Sequence, residues 1–223
     1  MKTAFTLIEL IFVIIVIGIL SAVMIPNIEN NSLQQAAQQV ASDIRYTQHL
    51  AMIDDKYSSK QSEWYKERWQ IVFANDNQYA NNKPAYTIFS DSYNNTSHSY
   101  SGDPKESEIA INPGNVNKIM TGGYNNTAAL NYNDENFKGS RELNLGETYG
   151  ITLVTLSNGC SYGRISFDYL GRPFSGDQST MTAPYKANTQ RLISRDCNIT
   201  LFQNNDKIVI QVSPETGFLK IIQ

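Results

Sequence analysis

The amino-terminal part of the chain carries one long run of apolar residues. From Phe5 to Ile25 the sequence reads FTLIELIFVIIVIGILSAVMI, and Glu9 is its one ionisable residue. A helix of these 21 residues would extend about 31 Å, close to the thickness of the hydrocarbon core of a bilayer. The pattern therefore predicts a membrane-spanning helix. A carboxylate inside such a helix indicates a functional role that involves a partner.

A second helical pattern follows Pro26 and has a different surface. Apolar residues recur at steps of three and four, with glutamines and other polar residues between them: Leu33, Ala36, Ala37, Val40, Ile44 and Ala51. This spacing is typical of an amphipathic helix with one buried face. Because proline can bend a long helix without ending it, we expect Pro26 to kink one long helix.

From Trp64 onwards the pattern changes to that of β-strands. Short runs of β-branched and aromatic residues predict strands at 69–73, 85–89, 149–156, 163–169, 198–202, 207–212 and 218–222. Residues 91–147 are instead rich in Asn, Ser, Tyr, Gly and Thr, which predicts a surface excursion or a partly disordered insertion rather than core. The expected fold class is α+β, with a long amino-terminal helix packed on an antiparallel sheet.

Composition and charge restrict the class of protein and its compartment. A chain of 223 residues is long enough for one sizeable domain, and a net charge of −3 gives no basic field that would attract nucleic acid. Lys2 is the one charge before the apolar run, so the positive-inside bias places the amino terminus in the cytoplasm. Cys160 and Cys197 would then lie in an oxidising compartment, either joined in a disulfide or as free thiols.

The start of the apolar run resembles the amino terminus of type IV pilins and of the pseudopilins of type II secretion and DNA-uptake systems. The resemblance rests on Lys2 in a short leader, on the segment FTLIEL from Phe5 to Leu10, and on the apolar run that ends at Pro26. In this family a prepilin peptidase cuts before the phenylalanine and methylates the new amino group. The resemblance therefore implies cleavage between Ala4 and Phe5 and N-methylation of Phe5.

The same resemblance implies a role for Glu9 and a long helix of the pilin type. In the family, a glutamate at this position pairs with the terminal amine of a neighbouring subunit during filament assembly. Ala4 departs from the family pattern, which usually has glycine immediately before the cut. Alanine is the next smallest residue, so we still expect cleavage.

The second half of the chain is similar to the H-type minor pseudopilins at scattered positions. These are Trp64 with the segment 69–72, the segment 165–167 followed by Gly171, and a closing hairpin from 208–210 to 214–217. The polar insertion has no counterpart in this similarity. The comparison implies a minor subunit rather than a major one.

Together these patterns predict a domain organisation. We expect a leader at 1–4, a transmembrane and filament-spine helix at 5–25, an amphipathic helix at 26–57, and a β-rich periplasmic domain at 58–223 with its polar insertion at about 91–147. The expected localisation is the bacterial inner membrane, single-pass, with a cytoplasmic amino terminus and a periplasmic carboxyl-terminal domain.

The expected function is that of a minor pseudopilin. Such a protein is a structural subunit of an inner-membrane-assembled pseudopilus that serves type II protein secretion or DNA uptake. The implied partners are the prepilin peptidase, the major and other minor pseudopilins, the inner-membrane assembly platform and membrane lipid. The alternative is a minor type IV pilin at a pilus tip that acts as an adhesin or DNA-recognition module. Direct DNA binding is not expected, because the Tyr- and Asn-rich region at 93–132 lacks a basic stripe.

No pattern in the sequence indicates catalysis, a cofactor or a metal. His49 and His98 have no cysteine or carboxylate cluster at ligand spacing, so we expect a protein that is not an enzyme. The oxygen ligands at 133–135 could help to hold calcium, although their spacing is not that of a known calcium loop. Asn198 lies in the segment DCNIT, which fits an acidic glycosylation sequon.

Overall fold

A computed structural model describes residues 6–24, 32–185 and 191–222 of the chain. The chain divides into two compact units, Met1–Asn31 and Ser32–Gln223. Helix α1 (Leu7–Met24) is the regular structure described in the first unit, and the second unit contains the remaining helices and all the described strands. Each unit is treated on its own below.

Helix α1 begins with a local hydrogen-bonded cap. Thr6 precedes the helix, and one carboxylate oxygen of Glu9 accepts hydrogen bonds from both its backbone N–H (2.9 Å) and its hydroxyl (2.7 Å). The first amides of a helix have no partner within the helix, so a Thr-x-x-Glu pair at this point stabilises its start. The apolar residues that follow form 18 residues of unbroken helix.

The prediction of a pilin-like α+β fold on one long amino-terminal helix is wrong. The described α-helices have 18, 22 and 5 residues: α1, α2 (Ser32–Ile53) and α3 (Leu145–Tyr149). The strands form three antiparallel sheets. A helical period on both sides of a proline is equally compatible with two helices, which the sequence pattern alone could not show.

The predicted transmembrane helix, and with it the single-pass inner-membrane localisation, is also wrong. Among the described residues, none of the helices combines the length and the apolar character needed to cross a bilayer.

Helix α2 lies against both four-stranded sheets of the second unit. Its buried residues follow the predicted helical spacing and include two polar side chains: Ala36, Ala37, Val40, Ala41, Asp43, Ile44, Thr47 and Ala51. The glutamines and Arg45 lie on its less buried faces. The amphipathic pattern therefore identified the face that enters the core.

The first sheet has the strand order β2-β1-β6-β7 and is antiparallel throughout. Its strands are β1 (Trp69–Asn77), β2 (Lys83–Ser90), β6 (Arg164–Phe167) and β7 (Pro173–Ser175). Ile71 in β1 is opposite Ile88 in β2 on one side and Ile165 in β6 on the other. This row of β-branched residues is fully buried in the core.

The second sheet has the order β10-β9-β8-β5. Its strands are β5 (Leu153–Asn158), β8 (Cys197–Gln203), β9 (Asp206–Val212) and β10 (Leu219–Ile222). The last three follow one another along the chain as a meander, as the alternating pattern predicted. A two-stranded sheet of β3 (Ile111–Asn112) and β4 (Asn115–Ile119) completes the described strands.

The polar insertion at 91–147 is an ordered part of the second unit. It runs along the outer edge of the first sheet, with bridges from Phe89 to Ile109, from Thr87 to Thr121 and from Ala85 to Asn144. Ile111 and Val116 of the insertion are exposed, but eight of its other apolar residues are buried: Ile109, Ala110, Met120, Ala129, Leu130, Phe137, Leu143 and Leu145. The expectation that this region contributes no core is therefore wrong, and it covers a strand edge that would otherwise be free.

Candidate functional site

Helix α1 exposes more large apolar side chains than any other described element. All residues from 7 to 20 are exposed, including twelve large apolar side chains on every face of the helix: Leu7, Ile8, Leu10, Ile11, Phe12, Val13, Ile14, Ile15, Val16, Ile17, Ile19 and Leu20. Single exposed apolar residues are normal on protein surfaces, but a contiguous surface of this extent indicates an interaction site.

Glu9 lies at the beginning of this surface. Within the described residues its carboxylate accepts hydrogen bonds from Thr6, and Glu9 is exposed. The sequence pattern predicts a functional role for Glu9, which stays a prediction, but it missed the contact of Glu9 with Thr6 at the start of the helix. The Thr6-x-x-Glu9 spacing, which is the signature of a capping box, was the signal that could have revealed it.

Three predicted positions lie outside the described residues. They are Ala4 and Phe5, at the predicted cleavage and methylation point, and Pro26, at the predicted kink. Cleavage and methylation stay predictions.

The disulfide between Cys160 and Cys197 is confirmed. It joins the turn after β5 to the first residue of β8, with the two Cα atoms 5.1 Å apart. The approach is close: a Cβ on Gly159 would lie 2.0 Å from the carbonyl oxygen of Arg195, so a side chain at this position would displace the backbone. Closing a loop across 37 residues stabilises the second unit by about 4 kcal/mol in the chain-entropy description.

Asn198 follows the disulfide within β8 and is partly exposed. Its side-chain oxygen accepts a 3.4 Å hydrogen bond from the Nε2 amide of Gln211 in β9. The residue is thus held within a central strand, opposite Ser157 on one side and Gln211 on the other. Its glycosylation stays a prediction.

The candidate calcium ligands act as turn residues. Asp134 accepts a hydrogen bond from the amide of Asn136, and the backbone amide of Asn133 donates to the side chain of Asn131. The described ranges contain no group of three or more His, Cys, Asp or Glu side chains arranged to hold a metal ion.

The sequence analysis missed a buried carboxyl group on α2. One oxygen of Asp43 accepts hydrogen bonds from the Tyr86 hydroxyl (2.6 Å) and from the Gln39 amide (3.0 Å), and only 6% of the residue is exposed. Burial raises the pKa of Asp43 against these two hydrogen bonds, and burial together with the charge of Asp43 raises the pKa of Tyr86. Asp43 lies on the buried face of α2 between Val40 and Thr47. Its position in the helical spacing could therefore have indicated a buried carboxyl group.

A buried arginine forms the second polar cluster that the sequence did not reveal. The guanidinium of Arg68 stacks on Phe174 at 4.1 Å and on Tyr185 at 5.2 Å, and it donates a 3.0 Å hydrogen bond to the carbonyl of Pro184. Burial lowers the pKa of Arg68. The partners come from residues more than 100 positions away along the chain, so no local pattern could have indicated them.

Both clusters lie in the interior of the second unit. Asp43, Tyr86 and Arg68 are all at least 94% buried. The features that remain open to a partner are the surface of α1 and the outer surface of the second unit.

Comparison with known proteins gave no assignment: the sequence matches no protein-family model, and searches of characterised proteins and of solved structures found no significant match.

Proposed function

We propose that the protein is a structural subunit of a pseudopilus-type filament that serves protein secretion or DNA uptake. The observation that carries this proposal is the apolar surface of α1. Burying one Leu, Ile, Val or Phe side chain contributes about 1.5–3 kcal/mol, so helices of this kind have a strong tendency to pack against one another. The FTLIEL segment, which resembles that of pilins and pseudopilins, supports the same proposal.

Glu9 supplies the specificity of the assembly in this proposal. Cleavage before Phe5 would create a positively charged amine close to the start of α1. A carboxylate among apolar side chains pairs favourably with the terminal amine of the next subunit, because opposite charges attract strongly where water is excluded. The other functional partners are then the prepilin peptidase and the other subunits of the filament.

Substitutions at Glu9 separate its charge from its role as a helix cap. Glu9→Gln keeps a side-chain acceptor for Thr6 but removes the charge, whereas Glu9→Ala removes both. We expect both variants to be expressed and cleaved. Filaments sheared from the cells should contain about tenfold less of either variant, or still less, than of the unmodified protein. The reason is that a loss of about 1.4 kcal/mol of pairing free energy already corresponds to a factor of ten. The measurement is the amount of protein that co-purifies with the major subunit.

Glu135→Ala is the matched control, because Glu135 is an exposed acid in the second unit. It should co-purify as the unmodified protein does. Normal incorporation of Glu9→Gln would show that Glu9 is only a cap. A photo-crosslinker at Ile14 should capture other subunits, whereas one at exposed Val116 should capture fewer. Equal capture from both positions would overturn the proposal that α1 carries the assembly.

A further inference from the structure

A polar groove lies on the insertion, beside the β3–β4 hairpin. Its volume is about 240 Å³, and its walls are formed by Asn112, Asn115, Lys118, Ser140, Arg141 and Glu142. All these residues belong to the second unit, whereas α1 belongs to the first. The charge of Glu142 in the groove wall also raises the pKa of Asp43.

The guanidinium of Arg141, which lines this groove, lies close to two aromatic rings. It lies over the ring of Tyr132 at 4.8 Å and over that of Phe137 at 5.8 Å. Within the described part of the chain, it donates to no carboxylate or carbonyl, and the residue is exposed. A planar guanidinium that is already oriented by aromatic rings presents its N–H groups in the geometry that fits a carboxylate or phosphate group.

The other side chains of the groove supply hydrogen-bond donors, and one of them bonds to Glu142, the acidic residue of the groove wall. The Nδ2 amide of Asn112 donates to Glu142 (3.0 Å) and to the Ser140 hydroxyl (2.7 Å), so the carboxylate of Glu142 is engaged within the wall. The ammonium of Lys118 donates to the carbonyl of Phe137 at 3.1 Å, and it has two further protons to offer. The groove thus contains the two cations Lys118 and Arg141 and one carboxylate, that of Glu142, so its net charge is positive.

We propose that this groove binds a small polar ligand that carries one carboxylate or phosphate group. Arg141 would contact the anionic group, with Lys118 beside it, and the side-chain amide of Asn115 would contact a hydroxyl group. The volume is below the 300–1,000 Å³ typical of sites for drug-sized ligands, so the ligand has about the size of a single sugar acid. Binding here would add recognition to the filament subunit proposed above and does not depend on it.

The test uses the full chain, with a mild detergent to cover α1, and three probes. Glucuronate carries a carboxylate on a sugar, inorganic phosphate carries an anion without a sugar, and glucose is a neutral sugar of the same size. Calorimetry gives the affinity, and the side-chain amide NMR signals of Asn112 and Asn115 report the place of binding. We expect those signals to shift with glucuronate, with phosphate or with both, and not with glucose.

The variant Arg141→Met removes the charge but keeps an unbranched side chain over Tyr132 and Phe137. It should weaken binding of the anionic probe about tenfold or more, because hydrogen bonds to charged groups are the stronger ones. Arg195→Met changes an exposed arginine shortly before β8 and should leave the affinity unchanged.

Three outcomes would overturn the proposed site. They are no binding of either anion, equal binding of glucose, or equal loss of affinity in the two arginine variants. None of them concerns co-purification of the Glu9 variants, so failure of this site and failure of the filament proposal can be told apart.

Discussion

Helix α1 and the insertion at 91–147 contradict what their compositions would suggest. The helix is almost wholly apolar, yet every side chain from 7 to 20 is exposed. The insertion is rich in Asn, Ser and Tyr, yet it buries Leu130, Leu143 and Leu145 completely. One region is apolar and uncovered, and the other is polar and contributes to a core.

The difference lies in the partners that each region has within its own unit. In the insertion, backbone groups bond to the edge of β2: the amide of Ile88 donates to Met120, and the carbonyl of Ile88 accepts from Ala110. This pairing holds a few apolar residues in place. The unit that contains α1 has no other described element for the helix to pack against. Burial is thus set by pairing and not by hydropathy alone.

The largest effect is expected from matched leucine and isoleucine truncations in the two regions. Leu130→Ala removes a fully buried side chain, and we expect it to lower the free energy of unfolding by about 2–5 kcal/mol. Ile14→Ala changes a side chain that is 61% exposed in α1, and it should alter the same quantity by less than about 0.5 kcal/mol. Urea unfolding followed by tryptophan fluorescence measures both.

Val116→Ala is the control within the insertion, because Val116 is exposed. It should resemble Ile14→Ala. If Leu130→Ala were as harmless as Val116→Ala, the insertion would not be part of the core, and the contrast with α1 would disappear.

A smaller effect is expected from a buried amide that joins the insertion to the rest of the sheet. The Nδ2 of Asn144 donates to the carbonyl of Ala80 at 2.9 Å, and its Oδ1 accepts from the amide of Glu147 at the start of α3. Asn144→Ala would leave these groups without partners, which should cost about 1–3 kcal/mol. Asn133→Ala, at an exposed position, should cost much less in the same unfolding measurement.

Hydrogen exchange would sharpen the result for Asn144. Loss of its contacts should raise exchange at the amides of α3 and of Gly122 before it affects β8 and β9. Uniform acceleration across both sheets would show that Asn144 supports the whole unit rather than the insertion.

The local patterns predicted the elements of the second unit well. Runs of β-branched residues marked β1, β2 and the β8–β9–β10 meander, and three- to four-residue steps marked the buried face of α2. These signals depend on neighbours along one strand or one helix face. The same patterns failed for the insertion, whose burial depends on bridges to β2, and for the single long helix, because period alone does not establish continuity.

The candidate site residues show the same difference between local signals, which the sequence reveals, and long-range contacts, which it does not. The pairing of Cys160 with Cys197 could be predicted because the chain has two cysteines. The surroundings of Arg68 could not, since its aromatic partners are contributed by β7 and by Tyr185. Glu9 was identified from its apolar context, whereas its bond to Thr6 required attention to the four-residue capping pattern.

The smallest and most specific effect is expected at Asp43, which places a carboxyl group on the buried face of α2. Burial raises its pKa in the folded protein, nearby Glu142 raises it further, and hydrogen bonds from Tyr86 and Gln39 oppose this. The folded state therefore holds the proton more tightly than the unfolded state. The stabilisation is complete below the ordinary pKa of 3.8 and is lost as the pH rises through the raised value.

Asp43→Asn cannot titrate at this position, so it isolates the contribution of the carboxyl group. The quantity of interest is the free energy of unfolding of the unmodified protein minus that of Asp43→Asn. We expect this difference to decrease as the pH rises from 3 to 7, and then to stay constant. Urea unfolding at a series of pH values measures this difference. A difference that increases with pH would mean that Asp43 is stabilised in its ionised form, and that Tyr86 and Gln39 outweigh the cost of burying a charge in the core.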